Sequence, residues 1–340
     1  MNRWFVVAPA SVALGWLLNR LHVPAAWILG AILASGAMAL GTGRDLKVNR
    51  RFYGVCRGII GILAAVPLVG IPVHQLLHYL VPGLAAAAVT TGVGMAGGFL
   101  LARRGEVTRE TGVLSMLAGG ASIMPAIAED LGADMRYVAL TQYLRLLTVS
   151  VTLPLVASLL TTPSASPPPE TAPTWWMWAL VLAIAVAAGP AAEKLHVPVP
   201  SVFGPLLVTV LVAGFLPAPV VMPRPLAVLA FLSIGWVCGG GLSVPSLKQF
   251  SRQLPLTVVC IVTIMAACAS MGWVISKWLG VTFFEGYLAT SPGALETVLA
   301  LSAEGGAGPA VIALQLIRLI TVMLIAGYLP RILGRFTRGA

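Results

Sequence analysis

Two interrupted apolar stretches hold most of the residues in this chain that could do chemistry away from water. One reads Leu117-Ala118-Gly119-Gly120-Ala121-Ser122-Ile123-Met124-Pro125, the other Ser291-Pro292-Gly293-Ala294-Leu295-Glu296-Thr297. Glycine and proline interrupt backbone hydrogen bonding. In lipid each freed N–H or C=O is costly unless protein, water or a solute satisfies it. Paired interruptions in two halves of a chain therefore point to a solute site, with Gly119, Gly120, Ser122, Pro125, Pro292, Gly293, Glu296 and Thr297 as its candidate lining. The plainer alternative is that the glycines only let helices approach closely. Glu296 is a carboxylate inside an apolar run, which makes it a functional candidate. It can take up a proton, bind a cation or pair with an arginine. Arg145 and Arg318 each lie some nine residues into an apolar helix, about 13 Å at the helical rise. A buried guanidinium needs an anion or carbonyls as partners. The pair can flank a site for an anionic solute, or each can hold the broken segment of its own half. Gln142 and Gln315 stand three residues earlier, on the same helical faces.

Weaker signals surround these. His74 and His78 share a helical face, but no Glu, Asp or Cys stands near enough in sequence to complete a metal site. His22 and His196 flank the prolines Pro24, Pro198 and Pro200 that open two helices, where a place at the water boundary explains them. Glu129, Asp130 and Glu304 follow the interruptions and read as loop charge. Cys56, Cys238, Cys260 and Cys268 lie in apolar runs without a CxxC pair and read as packing residues. No Walker loop, nucleophile elbow or dinucleotide fingerprint is present.

The elements that must position these residues follow from composition. Of 340 residues, 58% are hydrophobic and only 9% charged, against about 25% charged in a soluble domain. Mean hydropathy is +0.94. Apolar runs of spanning length recur without β-barrel alternation, so the predicted fold is an all-α polytopic membrane protein with the lipid bilayer as its solvent. Helices are predicted near 4–19, 25–41, 54–72, 79–101 and 137–160, then near 176–192, 199–216, 226–243, 255–276 and 309–329. The interrupted stretches 112–128 and 286–302 fall between the last two helices of each set. The first run imitates a signal peptide, but its counterpart at 176–192 marks it as a helix that stays. The net charge of +10 comes mostly from Lys and Arg at the ends of apolar runs, as the positive-inside rule requires. It is no sign of nucleic acid.

The chain reads as a duplication. Leu21-His22-Val23-Pro24 recurs as Leu195-His196-Val197-Pro198, 174 residues on, and Gly30, Gly112 and Gly119 match Gly204, Gly286 and Gly293 at the same offset. Gln142, Arg145 and Thr148 match Gln315, Arg318 and Thr321 at 173. The predicted organisation is a membrane repeat at 1–160, a Pro/Ser/Thr-rich linker at 161–174 and a second membrane repeat at 175–340. If each interrupted stretch enters and leaves on one side as a re-entrant hairpin, each half has five transmembrane helices. The Lys and Arg outside the apolar runs then gather more strongly on the side of the N-terminus than if the stretches cross. Arg57, Arg145 and Arg318 lie inside apolar runs and take no part in that comparison. An odd number of spans makes the repeats inverted, the pattern of many secondary transporters. Both termini fall in the cytoplasm.

The segment from Ser291 to Thr297, with the Gln-x-x-Arg-Leu-x-x-Val run that follows, resembles the duplicated AbrB-type bacterial membrane proteins, and the likeness covers nearly the whole chain. Half one departs from the pattern, with Ser122 opposite Glu296 and Ala118 opposite Pro292. The resemblance implies a bacterial inner membrane location. Such proteins are labelled ammonia monooxygenases or regulators of gene expression. The sequence supports neither directly, because no ligand cluster, cofactor motif or DNA-binding module is visible. The reading is a secondary-transporter-like protein moving a small anionic or zwitterionic metabolite, coupled to a proton or cation through Glu296. No enzyme activity and no cofactor are expected. The solute site is expected between the halves near the bilayer midplane. A membrane-bound ligand sensor that affects gene expression indirectly is the rival, and a channel or a membrane enzyme the weaker ones. Homodimer formation is left open.

Overall fold

A computed structural model describes residues 3–21, 25–103, 107–117, 124, 128, 131–158, 160, 174–197, 199–216, 219–241, 254–293 and 295–337. Among them the regular structure is α-helix, with one 3-10 turn at Val66–Leu68 and no strand. In chain order the helices are α1 (Trp4–Arg20), α2 (Ala26–Thr42), α3 (Arg50–Ala65), α4 (Val73–His78), α5 (Leu80–Arg103), α6 (Arg109–Met116) and α7 (Met135–Ser158). Then come α8 (Trp175–Lys194), α9 (Pro200–Ala213), α10 (Arg224–Gly240), α11 (Leu254–Leu279), α12 (Phe283–Thr290), α13 (Leu295–Glu304) and α14 (Pro309–Thr337).

Local chemistry sets the ends. Asn49 caps α3 by accepting from the N–H groups of Arg51 and Phe52 at 2.9 and 3.2 Å. Thr108 caps α6, and Thr282 with Glu285 forms a capping box on α12. Several predicted bounds need correction: the last helix, expected over 309–329, runs on to Thr337, the stretch expected from 112 starts at Arg109, and two others have a plain local cause. The run expected as one helix over 54–72 starts at Arg50 and stops at Ala65. Pro67 sits in the 3-10 turn that follows and Gly70 has φ of 79°, so the helix cannot continue. The stretch expected at 286–302 begins earlier, at Phe283, because the capping box supplies a start signal three residues upstream.

Five helices of the second half start 174 residues after five of the first: Ala26 and Pro200, Arg50 and Arg224, Leu80 and Leu254, Arg109 and Phe283, Met135 and Pro309. Ala25 and Val199, at the same offset, both stand in the left-handed region at the starts of α2 and α9, with φ of 53° and 46°. Side chains rarely adopt that conformation.

The chain forms two compact units, and each draws on both halves. The first comprises residues 1–76, 151–244 and 296–312. Within it α2 packs on α1 and α10, α9 packs on α8 and α3, and α3 meets α10. The contacts are reciprocal. Gly61 of α3 lies against the Val202 carbonyl of α9, and Gly235 of α10 against the Ile28 carbonyl of α2. Both pairs are related by the offset of 174.

The second unit comprises residues 77–150, 245–295 and 313–340. There α5 crosses α6 at Gly98 and Gly112, backbone on backbone, and α11 crosses α12 at Gly272 and Gly286. The absence of a Cβ permits such approach.

Large apolar side chains point outward. Phe5 is 76% exposed, Trp175 81% and Phe215 89%, while small and polar residues such as Ser11, Ser35 and Thr209 are buried. A water-soluble protein does not leave such faces bare. The segments Arg50–Leu68, Leu76–Arg103, Trp175–Lys194 and Pro255–Leu279 are long and apolar enough to cross a bilayer. Composition, outward faces and segment length together mark a helical membrane protein.

Candidate functional site

Helix α6 ends at Met116, and Leu117 turns to an extended conformation, φ −62° and ψ 121°. A helix end leaves carbonyls without donors. Two side chains of α7 supply them. Gln142 Nε2 donates to the carbonyls of Leu114 and Leu117 at 2.9 and 3.1 Å. Arg145 Nη1 donates to Leu117 O at 2.8 Å, and its Nη2 to Gln142 Oε1 at 2.7 Å. All of these groups are buried.

The second half repeats the device at the end of α12. Gln315 Nε2 donates to Leu288 O at 2.6 Å. Arg318 Nη1 donates to Ser291 O, with Thr290 O at 3.5 Å. Leu288 and Ser291 are Leu114 and Leu117 plus 174. The arginines thus hold the broken segments of their own halves. Both pairings ascend together, 142 with 114 and 145 with 117, 315 with 288 and 318 with 291. Each short helix therefore runs parallel to its clamping helix. A further bond agrees: the backbone N–H of Asp134, at the start of α7, donates to Thr111 Oγ1 in the first turn of α6 at 3.0 Å.

The clamps leave polar atoms over. Among the described residues, Arg145 Nε, Arg318 Nε, Ser291 Oγ and Gln315 Oε1 are buried without a hydrogen-bond partner. Arg145, Arg318 and the buried thiol of Cys268 all belong to the second compact unit. Among the described residues no carboxylate stands within ion-pair distance of either arginine. Two desolvated cations share this region with neutral partners only. Donor N–H groups beside uncompensated positive charge suit an anion.

Glu296 belongs to the first compact unit. It lies in the first turn of α13, where a helix start favours a carboxylate. Arg57 of α3 holds it, Nη2 to Oε1, at 2.6 Å. The Arg57 guanidinium also stands 5.8 Å from the centroid of the Tyr53 ring, and its Nε is buried without a partner among the described residues. Sequence reasoning passed over Arg57. The available signal was charge balance, since a carboxylate in an apolar run calls for a cation in another.

Pro292, Gly293 and Thr297 are buried at the second break. Gly119, Gly120, Ser122 and Pro125 lie outside the described residues, as do His22, Glu129 and Asp130. His74, His78 and His196 are exposed. Among the described residues no three His, Cys, Asp or Glu side chains gather, and the four cysteines are buried free thiols.

Comparison with known proteins adds the family. A family model described as "Transition state regulatory protein AbrB" matches residues 27–334. A protein of Escherichia coli (strain K12) named "Putative regulator AbrB" is 30% identical over 344 residues, covering 98% of this chain and 97% of that protein. "Uncharacterized protein YhjN" of Bacillus subtilis (strain 168) is 25% identical over 354 residues, covering 95% and 90%. With a match across nearly its full length, the chain belongs to the AbrB family.

Proposed function

We propose that this protein is a secondary carrier for a small anionic metabolite in the bacterial inner membrane. The observation that carries the reading is the pair of clamped breaks. Two buried guanidiniums, Arg145 and Arg318, belong to one compact unit with no carboxylate within ion-pair distance among the described residues, and each keeps a free Nε donor. A carboxylate or similar anion would satisfy those donors and the charge together. Ser291 Oγ and Gln315 Oε1 would take the remaining polar groups of the solute.

The breaks are read as re-entrant hairpins in two inverted repeats. Supporting this are the parallel course of each short helix with its clamp and the bond from Asp134 to Thr111. Reciprocal packing of Gly61 and Gly235 supports the repeat. Glu296 is the coupling group. Protonation would release Arg57, and that change of partner is what a proton gradient could drive.

The names of the Escherichia coli relative and of the family say regulator, which favours one second reading: a membrane sensor that binds its ligand without moving it. Counter-flow or pH-driven uptake into proteoliposomes, screened with pooled small carboxylates and amino acids, separates the two. Saturable uptake lost in Arg318→Ala and Glu296→Gln is the carrier result. No uptake from any pool, together with ligand-induced thermal stabilisation, makes the protein a sensor.

A further inference from the structure

The first compact unit carries a cavity of about 540 Å³ at the start of α1, lined by Arg3, Trp4, Arg44, Asp45 and Lys47 among others. It is a wide, open cup whose wall is held by hydrogen bonds to backbone carbonyls. Arg3 Nη1 donates to Arg44 O at 2.8 Å and Nη2 to Asp45 O at 3.1 Å. Leu46 N–H donates to Gly240 O of α10 at 2.9 Å. These bonds fix the wall of the cavity but neutralise nothing. Three cations face one carboxylate, and no ion pair joins them among the described residues.

A second observation lies along α1. Phe5, Pro9, Val12 and Trp16 are exposed and follow one helical stripe that descends from the cavity. From Phe5 to Trp16 the stripe is about 16 Å long. A cationic cup above an apolar stripe of that length matches the two parts of one phospholipid. A free phosphate would have no use for the stripe, and a zwitterionic lipid none for the excess of cations.

We propose that this cavity seats the phosphate headgroup of an anionic phospholipid, whose acyl chain lies on the Phe5–Trp16 face of α1. The proposal needs only the membrane reading and is independent of transport. Arg3, Arg44 and Lys47 attract the phosphate, with Arg3 held in place by its carbonyl bonds. Basic pockets at the positively charged side of membrane proteins hold acidic headgroups by this chemistry.

The test uses the full chain in detergent, titrated separately with phosphatidylglycerol, phosphatidylcholine and inorganic phosphate. Native mass spectrometry counts retained lipid, and melting temperature reports stabilisation. Phosphatidylglycerol should bind about tenfold or more tightly than phosphatidylcholine, because each cation near an acidic headgroup adds to the attraction. The Arg44→Gln/Lys47→Gln variant leaves the Arg3 bonds intact and should lose that preference. Arg20→Gln, at the far end of α1, should keep it. Equal binding of the two lipids, an unchanged preference in the double variant, or stabilisation by phosphate alone to the same extent would overturn the proposal.

Discussion

Arg318 has two duties that a substitution can pull apart. Its Nη1 satisfies the Ser291 carbonyl, and its charge and spare Nε make the region attractive to an anion. Arg318→Ala removes both and strands a buried carbonyl, which costs about 1–3 kcal/mol. Arg318→Gln restores a donor without the charge. The melting temperature of the alanine variant should fall clearly and that of the glutamine variant much less, while neither accumulates solute in proteoliposomes. Wild-type uptake by Arg318→Gln would leave the arginine a clamp and nothing more. The Arg57–Glu296 pair calls for a cycle instead. Each partner is partly screened, at 22% and 13% exposure, so a full buried-pair energy does not apply. Singles Arg57→Gln and Glu296→Gln and their double should give a coupling of about 0.5–3 kcal/mol from denaturation midpoints. Additive losses would mean the pair is not an interacting unit. Of these residues, Glu296, Arg145, Arg318 and their glutamines were legible in the sequence, because a polar side chain in an apolar run announces itself. Arg57 stood in an apolar run as well, and charge balance called for some cation opposite Glu296, but Arg145 and Arg318 answered that description equally, so the sequence did not single out position 57.

Between elements, glycine decides the approach. A Cβ on Gly61 would run into the Val202 carbonyl, and one on Gly235 into the Ile28 carbonyl. Backbone cannot step aside as a side chain can, so each alanine should cost about 1–3 kcal/mol through overpacking. Gly92 of α5 is the control, since nothing lies within 4 Å of its would-be Cβ. There Gly92→Ala should hold or raise stability, by up to about 1 kcal/mol of helix propensity, and the melting temperature with it. Similar losses at all three sites would show that close contact is not what sets the cost, since propensity alone favours alanine at each. Helix positions were largely readable, because a spanning helix needs a long apolar run and leaves charge at its ends. The end of α3 at Ala65 was not, although Pro67 and Gly70 stood in plain view: hydropathy continues past them while hydrogen bonding does not. The partner of each helix was not readable at all. Gly61 and Gly235 advertise a close contact without naming its other side.

At the scale of the whole molecule, the question is which way the two halves face. Each compact unit takes its helices from both halves, so neither half is a self-contained body, and a break in one half cannot be assigned a side from its own sequence. Labelling can assign it. The four native cysteines are buried, which leaves a quiet background for new ones. Arg109 and Met135 are exposed at the starts of α6 and α7, and Phe283 and Glu304 at the start of α12 and the end of α13. If each interrupted stretch enters and returns, Arg109→Cys and Met135→Cys should react with an impermeant maleimide from the same side. Phe283→Cys and Glu304→Cys should likewise share a side. If the halves are inverted, the two pairs should differ: the first shielded in intact cells, the second open from outside. A split within either pair would mean that the stretch crosses. Six spans per half would then make the repeats parallel. Agreement of all four on one side would retain the hairpins and remove the inversion, leaving both breaks open to the same side of the membrane.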